Sequence, residues 1–355
     1  MDIQKALASV ADGESLGFDA MAAVMRVIMS GDATDAQIGG LLMALRIKGE
    51  TIEEIAGAAS IMRELATPVR LNVTDPVDLV GTGGDGANLF NVSTAACFVV
   101  AAAGVPVAKH GNRSVSSTSG SSDVLESLGV PLDLDADQVG TLVDTVGIGF
   151  MFAPSHHSAM RYAVGPRREL GLRTLFNVLG PLTNPAGVER QVLGVFEADL
   201  CVPMAQALKT LGSVHAMVVH SDDGLDELSV AAPSIVAELR DDQVQSFVLD
   251  PRDYDLHADD LSGLTVDSAA ASASIIRAAL GDESSDPSEG ESYDVDKARK
   301  IIALNAGATI YVAGRASTLA DGMAQARALL ENGSAASKLD EFVAATKRAR
   351  GAKES

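Results

Sequence analysis

The sequence predicts an α/β fold preceded by a helical segment, on the basis of three observations. Apolar side chains recur at helical spacing through residues 1–70. From Val77 onward, short runs rich in β-branched residues alternate with alanine-rich segments, as in an α/β layer. The length of 355 residues is enough for one large domain and a smaller one.

The first segment is predicted to contain helices at residues 18–29 and 35–46, followed by a third from Thr51 to about Leu65. Glu54 lies three residues after Thr51, which is the spacing of a capping box. No catalytic constellation is visible here, so we expect this segment to serve mainly in packing.

A glycine-rich loop follows the first predicted strand, residues 77–80. Residues 81–86 read Gly-Thr-Gly-Gly-Asp-Gly, and glycine lets the backbone approach a ligand closely with its N–H groups free to bind an anion. Residues 91–94 then suit the start of a helix that continues through the apolar run 95–103. Because a helix N-terminus has unpaired donors, a phosphate would bind well there.

The second predicted strand, residues 105–108, leads into a loop rich in cations and hydroxyl groups. The cationic and amide side chains in that loop are Lys109, His110, Asn112 and Arg113, and residues 114–122 supply the hydroxyl groups. The order of strand, glycine loop, capped helix, strand and cationic loop predicts a site for a phosphorylated ligand.

Further strands are predicted at residues 147–152, 192–196, 216–220 and 246–249, and the tail 296–347 is predicted to be helical, with residues 305–312 buried. Residues 163–186 are rich in arginine, and Pro166, Pro181 and Pro185 are expected to break any helix there. We interpret this stretch as an excursion of the chain that returns to the helical segment and helps to wall the site.

Gly81, Gly83 and Gly86 also fit the G-x-G-x-x-G pattern of dinucleotide-binding folds. That fold expects an acidic residue about 20 positions later to bind a ribose hydroxyl. No Asp or Glu occurs between Asp85 and Asp123, so a phosphate site is the favoured interpretation.

Asp226 and Glu227 follow the predicted strand that ends at His220. Adjacent carboxylates after a strand suit Mg²⁺, which takes one or two carboxylates and completes its shell with water and phosphate. On spacing alone, a solvated acidic turn is an equal alternative. The adjacent His156 and His157 have no carboxylate partner, so a packed pair or a substrate wall is favoured over a metal site.

The net charge of −21 at pH 7 argues against a protein that binds nucleic acid. No apolar run reaches the roughly 18 residues that span a bilayer, and no secretory signal is visible, so no membrane association is expected. Cys97 and Cys201 match no metal or redox spacing, which predicts a cytoplasmic protein. The excess of acidic residues favours adaptation to high salt, where screening relieves self-repulsion.

Several long motifs, in order and over essentially the whole chain, resemble those of the anthranilate phosphoribosyltransferases. They are GTGGD at residues 81–85, NVST at 91–94, KHGNR at 109–113, SSxxGS at 116–121, RTLFNVLGPLTNP at 173–185 and DGLDE at 223–227. The resemblance implies a large α/β domain with a central mixed sheet flanked by helices, plus a small all-helical domain. The small domain would be residues 1–70, completed by about 163–186, and the large domain residues 71–162 and 187–350.

The implied reaction transfers phosphoribose from 5-phosphoribosyl 1-diphosphate to the amine of anthranilate, a step of tryptophan biosynthesis. The resemblance also implies Mg²⁺ as cofactor and a homodimeric enzyme. The resemblance implies catalytic roles for His110, Lys109 and Arg167, and magnesium ligation by Ser93, Asp226 and Glu227. It implies that the substrates are bound by Gly81, Gly84, Asp85, Asn91, Val92, Ser93, Thr94, Lys109, His110, Gly111, Asn112, Arg113, Ser114, Val115, Ser116, Ser117, Ser121 and Arg167. Among these, Gly81, Asn112 and Arg167 match the contacts to anthranilate, with Arg167 pairing its carboxylate.

Three positions depart from the family pattern. Leu89 replaces a hydroxyl residue, Ser158 replaces the proline after two histidines, and Thr118 replaces a common lysine. Two rival functions are a related nucleoside phosphorylase and a non-catalytic relative that binds nucleic acid. The first would show a Lys-His-Ser-Thr-Gly-Gly loop, which is absent, and the second would need a basic surface.

Overall fold

The computed structural model describes residues 2–113, 118–281 and 293–351. Its first part consists of the helices α1 (Ile3–Ala11), α2 (Phe18–Ser30), α3 (Asp35–Lys48) and α4 (Ile52–Leu65). Helix α4 begins at the predicted capping box of Thr51 and Glu54, and α3 begins at a second one, formed by Thr34 and Gln37. The three predicted helices are therefore confirmed, and α1 is a further helix in the segment expected to be helical.

A seven-stranded mixed sheet forms the centre of the molecule. Its strands are β1 (Val77–Gly81), β2 (Val107–Gly111), β3 (Ile148–Phe152), β4 (Arg190–Gly194), β5 (His215–Ser221), β6 (Ser234–Arg240) and β7 (Gln243–Leu249). In space the order is β3-β2-β1-β4-β5-β6-β7. Strands β1 to β5 are parallel, whereas β6 and β7 are antiparallel to their neighbours, so the predicted mixed sheet is confirmed.

Strand β6 was not among the predicted strands. It contains Glu238 and Arg240 and therefore lacks the continuous apolar character of a buried strand. The turn between β6 and β7 consists of Asp241 and Asp242, whose φ angles of 50° and 58° are those of a tight hairpin turn. This pair of aspartates is the feature of the sequence that marks the hairpin.

Helices cover both faces of the sheet. The remaining ones are α5 (Val92–Ala102), α6 (Ser121–Ser127), α7 (Ala136–Val146), α8 (Ala153–His156), α9 (Arg161–Leu170), α10 (Phe176–Leu179), α11 (Cys201–Thr210), α12 (Ala269–Leu280), α13 (Val295–Val312), α14 (Leu319–Glu331) and α15 (Ser334–Gly351). One buried cluster joins α5, α7 and α13 to one face of the sheet, and a second joins α11 and the first four helices to the other. The predicted burial of residues 305–312 in α13 is confirmed.

The excursion at residues 163–186 differs from the expectation in one respect. Pro166 lies inside α9 and does not break it. Although proline removes one backbone donor, α9 packs against α2 and α3, and these contacts keep the helix continuous. Ala163, Leu175 and Leu179 belong to the same buried cluster as the first four helices, so the excursion does return to that segment.

The order of the strands determines where a ligand can bind. The chain runs outward from β1 through β2 to β3 and then returns to β4 on the other side of β1. In such sheets, ligands bind beyond the carboxyl ends of the strands at the point where the order reverses. The loops after β1 and β4 meet at that point. Within the described residues, no helix has the length and apolar character needed to cross a membrane.

Candidate active site

The glycine loop after β1 contacts the turn that carries Asp226. The backbone N–H of Gly83 donates to Oδ2 of Asp226 at 2.6 Å. A Cβ at Gly81 would overlap the carboxylate of Asp226, and a Cβ at Gly194, at the end of β4, would overlap its backbone carbonyl. Sequence reasoning identified Gly81 but missed Gly194, because only the pairing of β1 with β4 places the two glycines side by side.

The start of α5 contacts the second carboxylate of the same turn. The backbone N–H of Ser93 donates to Oε1 of Glu227 at 3.0 Å. On the other side, Asn305 of α13 accepts from the N–H of Leu228 at 3.1 Å and donates to its carbonyl at 2.9 Å. The buried Asn305 therefore fixes the turn that carries both carboxylates, a role that the sequence did not indicate.

The two carboxylates have raised pKa values. Burial, followed by the negative charge of Asp85, raises the pKa of Asp226 to about 7. Desolvation and the charges of Asp226 and Asp85 raise the pKa of Glu227 well above its usual value. Asp226 is only 9% exposed and Glu227 is half-buried, so the turn is not a fully solvated one. A bound cation would reduce the repulsion among these carboxylates.

The predicted metal ligands Ser93, Asp226 and Glu227 are brought together by these contacts. No group of three or more His, Cys, Asp or Glu side chains that could hold a metal is found in the described parts of the chain. Mg²⁺ does not require one, because it commonly takes one or two carboxylates and fills its shell with water and substrate phosphate. The magnesium site stays a prediction that the residues present fit.

Lys109 and His110 are not in a loop, and that prediction was wrong. Both lie within β2 and both are 4% exposed. The ammonium group of Lys109 donates to the carbonyl of Leu79 at 2.7 Å. The strand extends to Gly111 because it continues its parallel pairing with β3. The ammonium group of Lys109 therefore lies beside the end of β1, close enough to Glu227 for its charge to oppose the rise in the pKa of that carboxyl, and its role toward a ligand stays a prediction.

The histidines form a buried cluster beside β2. The rings of His110 and His157 have centroids 5.1 Å apart, and Nδ1 of His156 lies 3.1 Å from the carbonyl of Thr67. Burial and the neighbouring histidines lower the pKa of His110 to about 3 and that of His157 to about 4. Nε2 of each of these two rings is buried with no hydrogen-bond partner. His156 and His157 are both buried, as a packed arrangement requires, but the ring in contact with His157 is that of His110, and a role as a substrate wall stays a prediction.

Arg113 was expected to contribute to the phosphate site, but its guanidinium is bound elsewhere. It donates to Asp123 at 2.8 Å and to Glu126 at 2.6 Å, both on α6. Ser121, at the start of α6, donates from Oγ to the carbonyl of Asn112 at 3.3 Å, and a Cβ at Gly111 would overlap that hydroxyl. The predicted site residues Ser114, Val115, Ser116 and Ser117 lie outside the described residues.

The side chain of Asn91 does not cap α5, although Asn91 is its N-cap residue. Its Oδ1 accepts from Ser119 and Ser272, each at 2.8 Å. Val92 is fully buried, and the buried Thr94 hydroxyl has no hydrogen-bond partner. Asn91 therefore links α5 to neighbouring segments and leaves the amide groups at the start of the helix for other acceptors.

Two of the three residues that depart from the family pattern contact the same segment, whereas the third, Ser158, is exposed. Leu89 forms an isolated antiparallel bridge with Thr265. Thr118 donates from its hydroxyl to the carbonyl of Val266 at 3.1 Å. Both contacts involve the segment before α12.

The excursion carries two arginines that lie over aromatic rings, and one of them contacts the glycine loop. The guanidinium of Arg167 lies over the ring of Phe176 at 5.2 Å, and burial lowers its pKa. The guanidinium of Arg173 lies over the ring of Phe196 at 4.2 Å and donates to the carbonyl of Gly84 in the glycine loop. Arg173 is the first residue of the motif at residues 173–185, and its contact with the glycine loop could not be predicted from spacing.

Comparisons with known proteins agree with this architecture. The chain matches the family models described as "Glycosyl transferase family, helical bundle domain" over residues 4–66 and "Glycosyl transferase family, a/b domain" over residues 73–336. It is 58% identical to an anthranilate phosphoribosyltransferase of Teredinibacter turnerae, over 97% of this chain and 98% of that protein. It is 56% identical to the one of Cellvibrio japonicus, over 98% of this chain and 99% of that protein.

Two solved structures are similar over nearly their whole length. The anthranilate phosphoribosyltransferase of Thermus thermophilus has a TM-score of 0.88 and 41% identity, covering 96% of this chain and 99% of that one. The enzyme of Saccharomyces cerevisiae in complex with PRPP and Mg has a TM-score of 0.86 and 26% identity, covering 98% of both chains.

Proposed function

Because the chain belongs to the glycosyl transferase family of the anthranilate phosphoribosyltransferases, we propose that its active site is the cleft between the glycine loop, the start of α5 and the turn of Asp226 and Glu227. The enzyme transfers the phosphoribosyl group from 5-phosphoribosyl 1-diphosphate (PRPP) to the amine of anthranilate, in tryptophan biosynthesis. One observation carries the proposal for the site: the N–H groups of Gly83 and Ser93 already bind anionic oxygens there.

The charges that develop in the reaction suit this cleft. Cleavage of the anomeric C–O bond makes the ribose more positive and the departing diphosphate more negative. The N–H groups of the glycine loop and the positive end of α5 would stabilise the diphosphate. We assign the binding of PRPP to this region, with Gly84, Asp85 and the stretch 91–94 as its main residues.

The cofactor we propose is Mg²⁺, held by Ser93, Asp226 and Glu227. Support comes from the two carboxylates, whose raised pKa values show that their negative charges are poorly compensated. When bound, Mg²⁺ would supply positive charge to the diphosphate. The Saccharomyces cerevisiae relative, which was solved with PRPP and Mg, supports the same choice.

For anthranilate we propose Arg167 as the partner of the carboxylate, with Gly81, Asn112 and His110 close to the ring and amine. A planar guanidinium binds a carboxylate through two parallel hydrogen bonds. The pKa of His110, about 3, keeps its imidazole neutral at pH 7, so it can form a hydrogen bond but is a weak base. We therefore expect binding and orientation, not proton abstraction, to provide most of the rate at the amine.

We propose a homodimer in which a second copy of the chain covers α3. This helix carries apolar residues on all sides although it lies at the surface. Ile47 at its end is 80% exposed, and Val164 and Leu172 of the excursion are each 51% exposed. Arg46 donates to the carbonyl of Arg173, which places the end of α3 beside Leu172. Together these side chains form an apolar surface that a dimer would bury.

We also propose the domain boundaries and the cellular location. Residues 1–70 with about 163–186 would form the small domain: the helical bundle model ends at residue 66, the a/b model begins at residue 73, and Ala163, Leu175 and Leu179 pack with the first four helices in a cluster that continues into β4 and α11. A cytoplasmic location is supported by Cys97 and Cys201, which are both buried and free. A related nucleoside phosphorylase and a non-catalytic nucleic-acid-binding protein are not favoured.

The assignment of Arg167 can be tested against its neighbour. The loss of anthranilate fluorescence with PRPP and Mg²⁺ reports the reaction. We expect Arg167→Gln to raise the KM for anthranilate about 10-fold or more, because a charged hydrogen bond to the carboxylate is lost, with little change in the KM for PRPP. Arg168→Gln, on the next and exposed residue of α9, is the matched control and should behave as wild type. Equal values for the two variants would refute this assignment.

A further inference from the structure

Strands β1 and β2 are joined in an unusual way. Their ladder pairs Val77 with Val107, whereas β1 and β4 are paired along five residues, from Val77–Arg190 to Gly81–Gly194. Nearer the site, in the part of the chain that is described, side chains link β1 to β2. These are Asp78, Lys109 and Asn184, which we call the polar wedge.

Each member of the polar wedge replaces a bond of the missing ladder. The carboxylate of Asp78 accepts the backbone N–H of His110, at 3.3 and 3.4 Å to its two oxygens. Lys109 donates to the carbonyl of Leu79 at 2.7 Å. Asn184 donates to the carbonyl of Ala108 at 2.8 Å. The wedge thus joins the two strands through side chains at the end that faces the cleft.

Asp78 is the centre of the polar wedge. It is fully buried, and besides His110 it accepts from Nδ2 of Asn184 at 2.7 Å. Asn184 in turn accepts from the N–H of Ala186 at 2.9 Å, so its carboxamide is fully used. Burial raises the pKa of Asp78 to about 6, while the charge of Lys109 and the bonds from Asn184 and His110 oppose that rise. Such a network is tolerated in a core only when its bonds are satisfied.

The two partners of Asp78 come from different sides of the acceptor site. His110 lies at the end of β2, just before Asn112. Asn184 lies near the end of the excursion that carries Arg167. A single carboxylate therefore connects the strand and the excursion to which we assign anthranilate. The donor side of the cleft rests on other contacts, between the glycine loop, α5 and the turn of Asp226 and Glu227.

We propose that Asp78 and Asn184 are positioning residues for the acceptor, setting the separation between His110 and the excursion that carries Arg167. Neither residue would touch the substrate itself. Small displacements of binding groups have large effects on positioning, so loss of the bond between Asp78 and Asn184 should weaken the use of anthranilate more than that of PRPP. This inference rests on the acceptor site proposed above.

The test uses an exchange of side chains on the full-length enzyme. Asp78→Asn places two carboxamide donors against each other, and Asn184→Asp places two carboxylates together. The double variant Asp78→Asn/Asn184→Asp restores one donor, one acceptor and one negative charge near Lys109, but the carboxylate at position 184 cannot donate to the carbonyl of Ala108 as Asn184 does. We expect each single variant to raise the KM for anthranilate about 10-fold or more, with the KM for PRPP within about 2-fold of wild type, and the double variant to keep this selectivity with at most a partial recovery.

A matched control separates positioning from general destabilisation. Glu54 is also a fully buried carboxylate bonded to a lysine, at 2.9 Å from Lys48, but it lies in the helical segment. Glu54→Gln should lower the melting temperature and leave both KM values unchanged. If Asn184→Asp does not fold, Asn184→Ala, which brings no charge into the core, replaces it and should show the same selective rise in the KM for anthranilate.

The outcomes are distinct. Equal rises in the two KM values, or a lower melting temperature with both KM values unchanged, would overturn the inference. A wild-type anthranilate KM in Arg167→Gln would refute the acceptor site and this inference together. A raised KM in Arg167→Gln with unchanged values in the wedge variants would refute this inference alone.

Discussion

The chain holds carboxylates in two contrasting surroundings, one in the helical segment and one in the cleft. Glu54 in α4 accepts the N–H groups of Leu16 at 2.9 Å and Thr51 at 2.8 Å and the ammonium of Lys48 at 2.9 Å. Asp226 and Glu227 each accept one backbone N–H group from the cleft, and their pKa values rise. The charge of Glu54 is compensated by a cation of the chain, whereas no ion pair to Asp226 or Glu227 is found among the described residues.

This difference separates a carboxylate that serves the fold from two that serve a ligand. Removing one partner of a buried ion pair leaves the other charge unpaired, which is strongly destabilising. Removing a carboxylate whose charge is poorly compensated has the opposite tendency, since its burial is itself unfavourable. Lys109 opposes the rise in the pKa of Glu227, but its ammonium is bonded to Leu79. The comparison therefore predicts opposite effects on stability and activity in the two places.

The largest effect is expected from the cleft. The variant Asp226→Asn/Glu227→Gln should lose about 10³-fold or more in activity, because a bound metal contributes several kcal/mol to charge stabilisation. Its melting temperature should be equal to or higher than that of wild type. Anthranilate fluorescence and thermal unfolding measure the two quantities. A variant that keeps a tenth of the activity, or that melts well below wild type, would contradict the assignment of these carboxylates to a ligand.

The second effect is the reverse of the first. Glu54→Gln should lower the free energy of unfolding by about 3 kcal/mol, because Lys48 is left without its partner in a largely buried position. The activity per folded molecule should be unchanged. Glu53→Gln, at the exposed neighbouring position, is the control and should change the free energy by less than about 0.5 kcal/mol. Denaturant unfolding measures the free energy of unfolding of all three proteins. Equal losses of that free energy in the two variants would contradict a stabilising role for the pair of Glu54 and Lys48.

The sequence predicted the surroundings of Glu54 but did not decide those of Asp226. The capping box of Thr51 and Glu54 is local, so its spacing was sufficient to predict it. Whether Asp226 is a metal ligand or part of a solvated turn depended on its burial, which comes from Gly81 and Gly194 on two other strands. Motif order indicated the chemistry of the cleft, but not these close approaches.

The same limit explains what sequence reasoning missed around β2. It identified Lys109 and His110 as residues of the site, and expected both in a loop. Their burial follows from the pairing of β2 with β3 and from the carboxylate of Asp78, which lies 32 positions from His110 along the chain. Asn184, which completes that arrangement, is 106 positions from Asp78. Contacts at such separations are set by the order of the strands and cannot be read from spacing.

A smaller effect concerns the response to Mg²⁺. If the cleft carboxylates bind the ion, Mg²⁺ should raise the melting temperature of the wild type and of Glu54→Gln alike. At 100 times the dissociation constant the gain would be about 2.7 kcal/mol. Asp226→Asn/Glu227→Gln should show no Mg²⁺-dependent shift. Calcium at the same concentration controls for non-specific effects of a divalent ion on so acidic a protein, and an equal shift in the double variant would place the ion elsewhere.

The smallest effect concerns salt and tests whether Glu54 is shielded from solvent. With a net charge of −21, wild type and Glu54→Gln should both become more stable between about 0.1 M and about 1 M potassium chloride, because screening reduces repulsion among exposed carboxylates. The pair of Glu54 and Lys48 is withdrawn from that screening, with side chains 0% and 9% exposed. The difference between the two proteins should therefore stay within about 0.5 kcal/mol across the series. If the free energies of unfolding of the two proteins became equal at high salt, solvent ions would reach the pair of Glu54 and Lys48. If the stability of the wild type did not change with salt, the adaptation to high salt that its composition suggests would be refuted.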